Sequence, residues 1–116
     1  MGRTSREKGK RGEREVAAIL RAHGYDEARR GQQYNGSDGS ADVVGIPGYH
    51  VEVKRVEALK LYDALTQSQD DAKPGEVPIV VHRRNGKPWV VIMELEQFLD
   101  IISGRETHET EAVGTV

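Results

Sequence analysis

Hydrophobic residues recur at helical spacing in three segments of this chain. The first covers residues 10–23, where Gly24 follows as a stop signal and one stripe carries Val16, Ile19, Leu20 and His23. The second covers residues 58–73, which Pro74-Gly75 ends, and its inner face carries Leu61, Ala64, Leu65 and Ser68. Residues 94–102 form the third and shortest segment. The spacing therefore predicts three helices, at the start, in the middle and near the end of the chain.

Period-two alternation predicts five strands between these helices. Residues 27–33 form a polar strand typical of a sheet edge, and residues 34–40 form a loop by composition. Residues 41–46 and 49–55 are predicted to pair as a hairpin around Pro47-Gly48. Residues 79–82 and 89–93 are predicted to pair around Asn85-Gly86, a strong turn signal. The order α-β-β-β-α-β-β-α predicts an α/β fold in which helices flank a mixed sheet.

The alternation in residues 49–55 sets the direction of three polar side chains. His50, Glu52 and Lys54 project from one face of the strand, and the apolar residues between them project from the other. Asp42 lies opposite Glu52 or within one residue of it, depending on the turn and any bulge. Two carboxylates and an ammonium then meet, as Mg²⁺-dependent phosphodiester hydrolysis requires. Taken alone, this pattern is common, because alternating Glu and Lys often only keep an outer strand face solvated.

Size and composition indicate one intracellular domain. At 116 residues the chain suits a single domain over residues 1–103, with a mobile basic arm at 1–8 and a disordered acidic tail at 104–116. The absence of cysteine excludes disulfides and thiolate metal sites and favours the cytoplasm. No apolar stretch approaches the roughly 20 residues of a membrane span, and the first residues are too polar for a signal peptide. Neither a membrane nor an organic cofactor is expected.

The charge is distributed unevenly, which matters more than its total of -2. Residues 94–116 carry six acids and one arginine, a net of -5, which leaves +3 for residues 1–93. Within residues 1–14, six basic side chains stand against two acids. A basic segment at one end supports phosphate binding, although a solubilising charged terminus would have the same composition.

Four short motifs, in this order, resemble those of one nuclease superfamily. They are Lys8-Gly9, then Glu13-Arg14-Glu15 in the first helix, then Gly39-Ser40-Ala41-Asp42, and finally Glu52-Val53-Lys54. Together they resemble the PD-(D/E)xK superfamily and, within it, the archaeal and phage Holliday-junction resolvases, over about residues 8–93. Ala41 stands where that family often has proline, and the net negative charge departs from its strongly basic members. The resemblance implies a restriction-endonuclease-like fold and a DNA endonuclease, which a phage would use inside its host cell.

The resemblance also implies a role for each matching residue. It makes Asp42 and Glu52 metal ligands and Lys54 the catalytic lysine, which positions water or stabilises the developing charge. Glu13 is the helix-borne acid that completes the metal shell, directly or through water. The implied ion is Mg²⁺, for which Mn²⁺ is expected to substitute. Gln67 lies on the helix after the Glu-x-Lys strand, where related nucleases can place an auxiliary polar residue.

Two of these assignments stay open on the sequence. Helical phase places Glu13 and Glu15 on opposite flanks of the apolar stripe without choosing between them, although family position favours Glu13. Gln69 competes with Gln67, and an exposed helical glutamine needs no role at all. His50 shares the strand face of the Glu-x-Lys motif and could approach the site, although its spacing to the other histidines is unlike that of a zinc site.

The expected substrate constrains the expected assembly. Resolving a four-way junction requires two matched nicks on symmetric strands, which a C2 homodimer with two sites provides economically. Its contact surface is not readable, although the second hairpin with Trp89 and the last helix are apolar enough to form it. Phosphate contacts without sequence readout are expected from Arg3, Arg6, Lys8, Lys10, Arg11, Arg14, Arg29, Arg30 and Ser40.

Two other functions fit the same residues. One is a different nuclease of the superfamily, of nicking, repair or restriction type, because nothing in the motifs selects a junction over a flap or a duplex. The other is a non-catalytic DNA-binding module whose acids are only surface charge. If Glu13, Asp42 and Glu52 lie apart in the folded protein, the enzyme hypothesis fails.

Overall fold

Three helices and five strands follow one another in the predicted order, which confirms the α/β class. A computed structural model describes residues 5–32 and 41–104. The helices are α1 (Ser5–Ala22), α2 (Leu61–Asp71) and α3 (Leu95–Ser103). The strands are β1 (Arg29–Arg30), β2 (Val43–Val44), β3 (Tyr49–Arg55), β4 (Val77–Arg83) and β5 (Val90–Ile92). Within these described ranges, no helix is both long enough and apolar enough to cross a lipid bilayer.

The five strands form one mixed sheet in the order β1-β2-β3-β4-β5. Both predicted hairpins are present: β2 pairs antiparallel with β3, and β4 with β5. Strands β3 and β4 run parallel over seven paired residues, with Glu52 beside Val80. Parallel neighbours need a crossover connection, and α2 provides it. The sheet therefore has its two longest strands in the middle, and the predicted Glu-x-Lys motif lies on one of them.

Helices cover both faces of this sheet. On one face, Val16 and Ala17 of α1 pack against valines and Ile79 of the central strands, and Ile101 of α3 joins the edge of this cluster. On the other face, Ala64 and Leu65 of α2 pack against Val80. The alternation of β3 therefore directs its apolar residues towards α1 and its polar residues towards α2.

Several element boundaries differ from the prediction. Helix α1 begins at Ser5 and so includes residues 5–8 of the predicted mobile arm, since solvated polar turns give no apolar periodicity to detect. Helix α2 is shorter at both ends, and Leu61, expected on its inner face, is 37% exposed. Strand β1 has two residues, because only Arg29 and Arg30 reach β2. Gly104, predicted to begin a disordered tail, is instead the left-handed C-cap of α3. Residues 1–4 of the predicted arm, the predicted loop 34–40 and residues 105–116 of the predicted tail lie outside the described residues.

Candidate active site

Glu52 is the most deeply buried acid of the predicted site. It lies in the middle of β3 facing α2 and is only 2% exposed. Burial, the charge of Asp42 and a hydrogen bond with that carboxyl together raise the pKa of Glu52 to about 8, against a smaller lowering by Lys54. A buried carboxylate is costly unless a cation or a proton compensates it. In the absence of a metal ion, the fold therefore keeps a proton on this pair of acids.

Asp42 is held rigidly at the start of β2. Its Oδ2 accepts a hydrogen bond of 2.8 Å from the N–H of Val53, and its own N–H donates to the carbonyl of Val51 at 2.9 Å. Its carbonyl accepts from the N–H of Gly31 at 2.8 Å. A Cβ at Gly31 would clash with the Ala41 carbonyl oxygen, so only glycine lets these two segments of backbone approach each other this closely. Backbone contacts thus fix the carboxylate beside Glu52.

The structure separates the two glutamates that the sequence could not distinguish. Glu13 lies near Asp42: burial and the Asp42 charge raise the pKa of Glu13, despite a hydrogen bond of 2.9 Å from Arg30 Nε. Glu15 lies on the other flank of α1. Its Oε1 accepts hydrogen bonds of 2.9 Å each from Arg83 Nη1 and Trp89 Nε1. Asp42 thus interacts electrostatically both with Glu13 of α1 and with Glu52 of β3, and these three acids are here called the carboxylate cluster.

Lys54 and Gln67 meet beside the carboxylate cluster. Lys54 shares the strand face of Glu52, and its Nζ donates to Gln67 Oε1 of α2 at 3.1 Å. The competing Gln69 lines a separate cavity between α2 and the β5–α3 segment, together with Leu65 and Ile92. The structure thus places Gln67, and not Gln69, next to the lysine.

Two further polar side chains lie against Glu52. His50 Nε2 is 2.8 Å from Glu52 Oε2, and potential ligand atoms of His50, Glu52 and Asp71 all lie within 4.8 Å of one another. The sequence indicated only weakly that His50 would approach the site, and it did not predict Asp71 there. Asp71 follows Gln67 by four residues on α2, so that helical spacing was the available signal. This spacing alone could not place Asp71 in the site, because the sequence does not show that this face of α2 packs on β3.

The expected phosphate contacts are spread over three regions. Lys8 and Arg11 line a cavity of about 300 Å³ with Arg55 and Asn85, and a second cavity lies along Glu7, Lys10, Arg11 and Arg14. Arg29 and Arg30 line a cavity of about 540 Å³ beside His50 and Lys73. Arg6 is exposed in the first turn of α1. Arg3 and Ser40 lie outside the described residues.

The donor set fits a hard divalent cation. The carboxylate cluster offers oxygen ligands, which Mg²⁺ prefers, and Mg²⁺ needs only two or three carboxylates because it keeps several waters. Two neighbouring acids that otherwise share a proton also gain from a cation between them. Among the described residues, the potential ligand atoms that lie within 4.8 Å of one another belong to His50, Glu52 and Asp71, and Asp42 is the carboxyl that hydrogen-bonds to Glu52.

Comparison of the chain with protein-family models, with curated proteins and with solved structures finds no match in any of the three. What the fold defines is an α/β domain with a five-stranded mixed sheet and three helices. Any statement about activity therefore depends on the chemistry of the site itself.

Proposed function

We propose that this protein is a Mg²⁺-dependent, structure-selective DNA endonuclease that resolves four-way (Holliday) junctions. The observation that carries the proposal is that Asp42 interacts both with Glu13 of α1 and with the buried Glu52 of β3. Lys54 lies on the same strand face as Glu52, as phosphodiester hydrolysis at a carboxylate-bound ion requires. The central mixed sheet with helices on both faces is compatible with the restriction-endonuclease-like fold that the sequence motifs imply.

In the proposed reaction each side chain has a distinct task. A bound Mg²⁺ would polarise the scissile phosphate and lower the pKa of the attacking water. Asp42 and Glu52 would hold the ion, and the Val53 N–H keeps the Asp42 carboxylate in one orientation. Lys54, oriented by Gln67, positions the water or stabilises the charge that develops on the phosphate. Mn²⁺ is expected to replace Mg²⁺, since both accept oxygen ligands.

The burial of Glu52 argues against a role for this acid as mere surface charge. Acids that serve only as surface charge remain in water, whereas Glu52 is 2% exposed. At a pH above its pKa, the buried charge of Glu52 makes the free energy of folding less favourable. Such an arrangement is typical of sites where a cation or a reacting group later compensates the charge.

Exposed apolar surface supports the proposed homodimer. Strand β5 is an edge of the sheet, and α3 has no buried residue. The large apolar side chains left exposed there are Val90, Val91, Leu95, Phe98, Leu99 and Ile102. A face of this kind commonly marks a protein contact, and a two-fold axis through it would present two carboxylate clusters to one junction.

Cleavage of a branched substrate tests the proposed function. A supercoiled plasmid that extrudes a cruciform should become linear with Mg²⁺, because two sites in one dimer cut both strands within one binding event. A matched plasmid without the inverted repeat should remain supercoiled, and EDTA should stop the reaction. Equal cutting of both plasmids would exclude a resolvase while keeping a nuclease, and an intact cruciform with Mg²⁺ and with Mn²⁺ would exclude both.

The two neighbouring glutamates of α1 provide a matched pair of variants. We expect Glu13→Gln to lower the cleavage rate by about 10- to 100-fold, the usual effect of disturbing the surroundings of a metal ion. Glu15→Gln should leave the rate within about twofold, because Glu15 contacts Arg83 and Trp89 and not the carboxylate cluster, and its measurable effect should be a lower melting temperature. Loss of cleavage in Glu15→Gln with full activity in Glu13→Gln would show that Glu15, and not Glu13, is the acid of α1 that serves the metal site.

A further inference from the structure

His50 is a buried histidine to which the proposed reaction gives no task. Its imidazole is 2% exposed and lies between two glutamates. Nε2 is 2.8 Å from Glu52 Oε2, within hydrogen-bond distance, and Nδ1 is 3.7 Å from Glu76 Oε1, which is beyond it. One ring nitrogen therefore forms a hydrogen bond with Glu52, the most buried acid of the carboxylate cluster.

A side chain of α2 hydrogen-bonds to the backbone of the two central strands next to this histidine. The hydroxyl of Ser68, which is fully buried, donates to the carbonyl oxygen of Ile79 at 3.0 Å and lies 3.4 Å from that of His50. The first of these carbonyls belongs to β4 and the second to β3, so one side chain links both central strands to the helix. His50 also pairs with Pro78 in the parallel register of the two strands. These contacts fix the backbone from which the His50 side chain extends.

The direction of the short hydrogen bond follows from the chemistry of its partners. An ionised carboxylate can only accept, so in the metal-binding state of Glu52 the ring nitrogen Nε2 must carry the proton. The bond occupies Oε2, and the same carboxyl group also hydrogen-bonds to Asp42, so Glu52 is held by two side chains. A carboxylate with one oxygen fixed in this way loses little rotational freedom when a cation binds.

We infer that His50 is a positioning residue that holds the Glu52 carboxylate by Oε2 and so fixes the orientation in which this carboxylate would bind the metal ion. The inference deepens the proposed function, on which it rests, and gives the histidine a role through Glu52 and not as a ligand. Direct ligation by Nε2 would require breaking the 2.8 Å bond to Glu52.

Two amide variants that differ by one methylene test this role. In His50→Gln the side-chain amide can place its N–H near the position of Nε2 and so still reach Glu52. In His50→Asn the amide reaches only the position of Nδ1, so the bond to Oε2 is lost. Both variants keep a polar group in the buried site, and His50→Leu repeats the test should the asparagine variant not fold.

The readouts are the Kd of Mn²⁺ for the full chain without DNA, by calorimetry, and the melting temperature. We expect His50→Asn to raise the Kd about 10- to 100-fold and His50→Gln to stay within about threefold of the wild type. The control His82→Leu removes a histidine that bonds the carbonyl of Val56 and should leave the Kd unchanged. A merely structural role would lower the melting temperature of the His50 variants without moving the Kd.

The outcomes separate this inference from the proposed function. Equal Mn²⁺ affinity in wild type, His50→Asn and His50→Gln would overturn the positioning role and leave the nuclease intact. An equal loss of affinity in both amide variants would also overturn it, since reach to Oε2 would then not matter. A wild type that binds Mn²⁺ with the expected order of variants but cuts no DNA would refute the nuclease and keep the positioning role.

Discussion

Asp42→Asn is expected to abolish junction cleavage while leaving junction binding within a few-fold of the wild type. The amide removes one of the two charges that hold the ion, yet it can still accept the N–H of Val53, so the local backbone should persist. Loss of about 4 kcal/mol of metal-dependent transition-state stabilisation corresponds to roughly 10³-fold in rate. Single-turnover cleavage and a gel-shift titration in Ca²⁺ would measure the two quantities separately.

An exposed aspartate supplies the matched control for this variant. Asp63 lies exposed in the first turn of α2. Asp63→Asn makes the same chemical change without touching the carboxylate cluster, so its rate should equal that of the wild type within about twofold. Cleavage by Asp42→Asn within tenfold of the wild type would remove Asp42 from the metal shell.

Glu52→Gln is expected to make the metal-free protein more stable at alkaline pH than the wild type. The pKa of Glu52 is about 8 in the folded protein, against an ordinary value of 4.5 for a glutamate in the unfolded chain. Between these values the folded state holds a proton that the unfolded state has released. The free energy of unfolding therefore falls as the pH rises through this window, and the contribution is lost above the folded-state pKa. Glutamine has no such titration, so the variant should not show this loss.

The size of the effect and its reversal by metal can both be measured. In EDTA at pH 9, Glu52→Gln should melt at least about 4 °C above the wild type, since ~1 kcal/mol corresponds to that shift in a domain of this size. At pH 5 the difference should shrink. Mg²⁺ at 100 times its Kd should stabilise the wild type at pH 9 by about 2.7 kcal/mol and leave the variant unchanged.

The solvated face of α3 offers a control for this stability measurement. Glu96 is exposed there, so Glu96→Gln should follow the wild type at every pH. A Glu52→Gln variant that melts below the wild type at pH 9 in EDTA would contradict the buried, proton-holding state of this acid.

The sequence was sufficient for the order of elements and for the hairpin that carries two of the acids. Apolar periodicity is a local property, so β3 and both hairpins could be recognised from their alternation and turn residues. The strand phase likewise placed Glu52 and Lys54 on one face, and the short turn after β2 brought Asp42 close. These are the parts of the site that neighbouring stretches of chain determine.

The remaining parts depend on contacts between distant segments. The different surroundings of Glu13 and Glu15 depend on Arg83 and Trp89, which lie about seventy residues away in the chain and hydrogen-bond to Glu15. Asp71 lies near Glu52 only because of where α2, which connects β3 to β4, packs along these two strands. Neither helical phase nor composition contains this information, since both describe single segments.

Single-turnover cleavage of an end-labelled four-way junction by the wild type and by Glu52→Gln, in Mg²⁺ and in EDTA, tests the metal-dependent carboxylate cluster most directly. We expect paired symmetric nicks with the wild type in Mg²⁺, none in EDTA, and none above background with Glu52→Gln although the variant is folded. Cleavage that persists in EDTA, or cleavage by Glu52→Gln at the wild-type rate, would contradict a catalytic role for the carboxylate cluster.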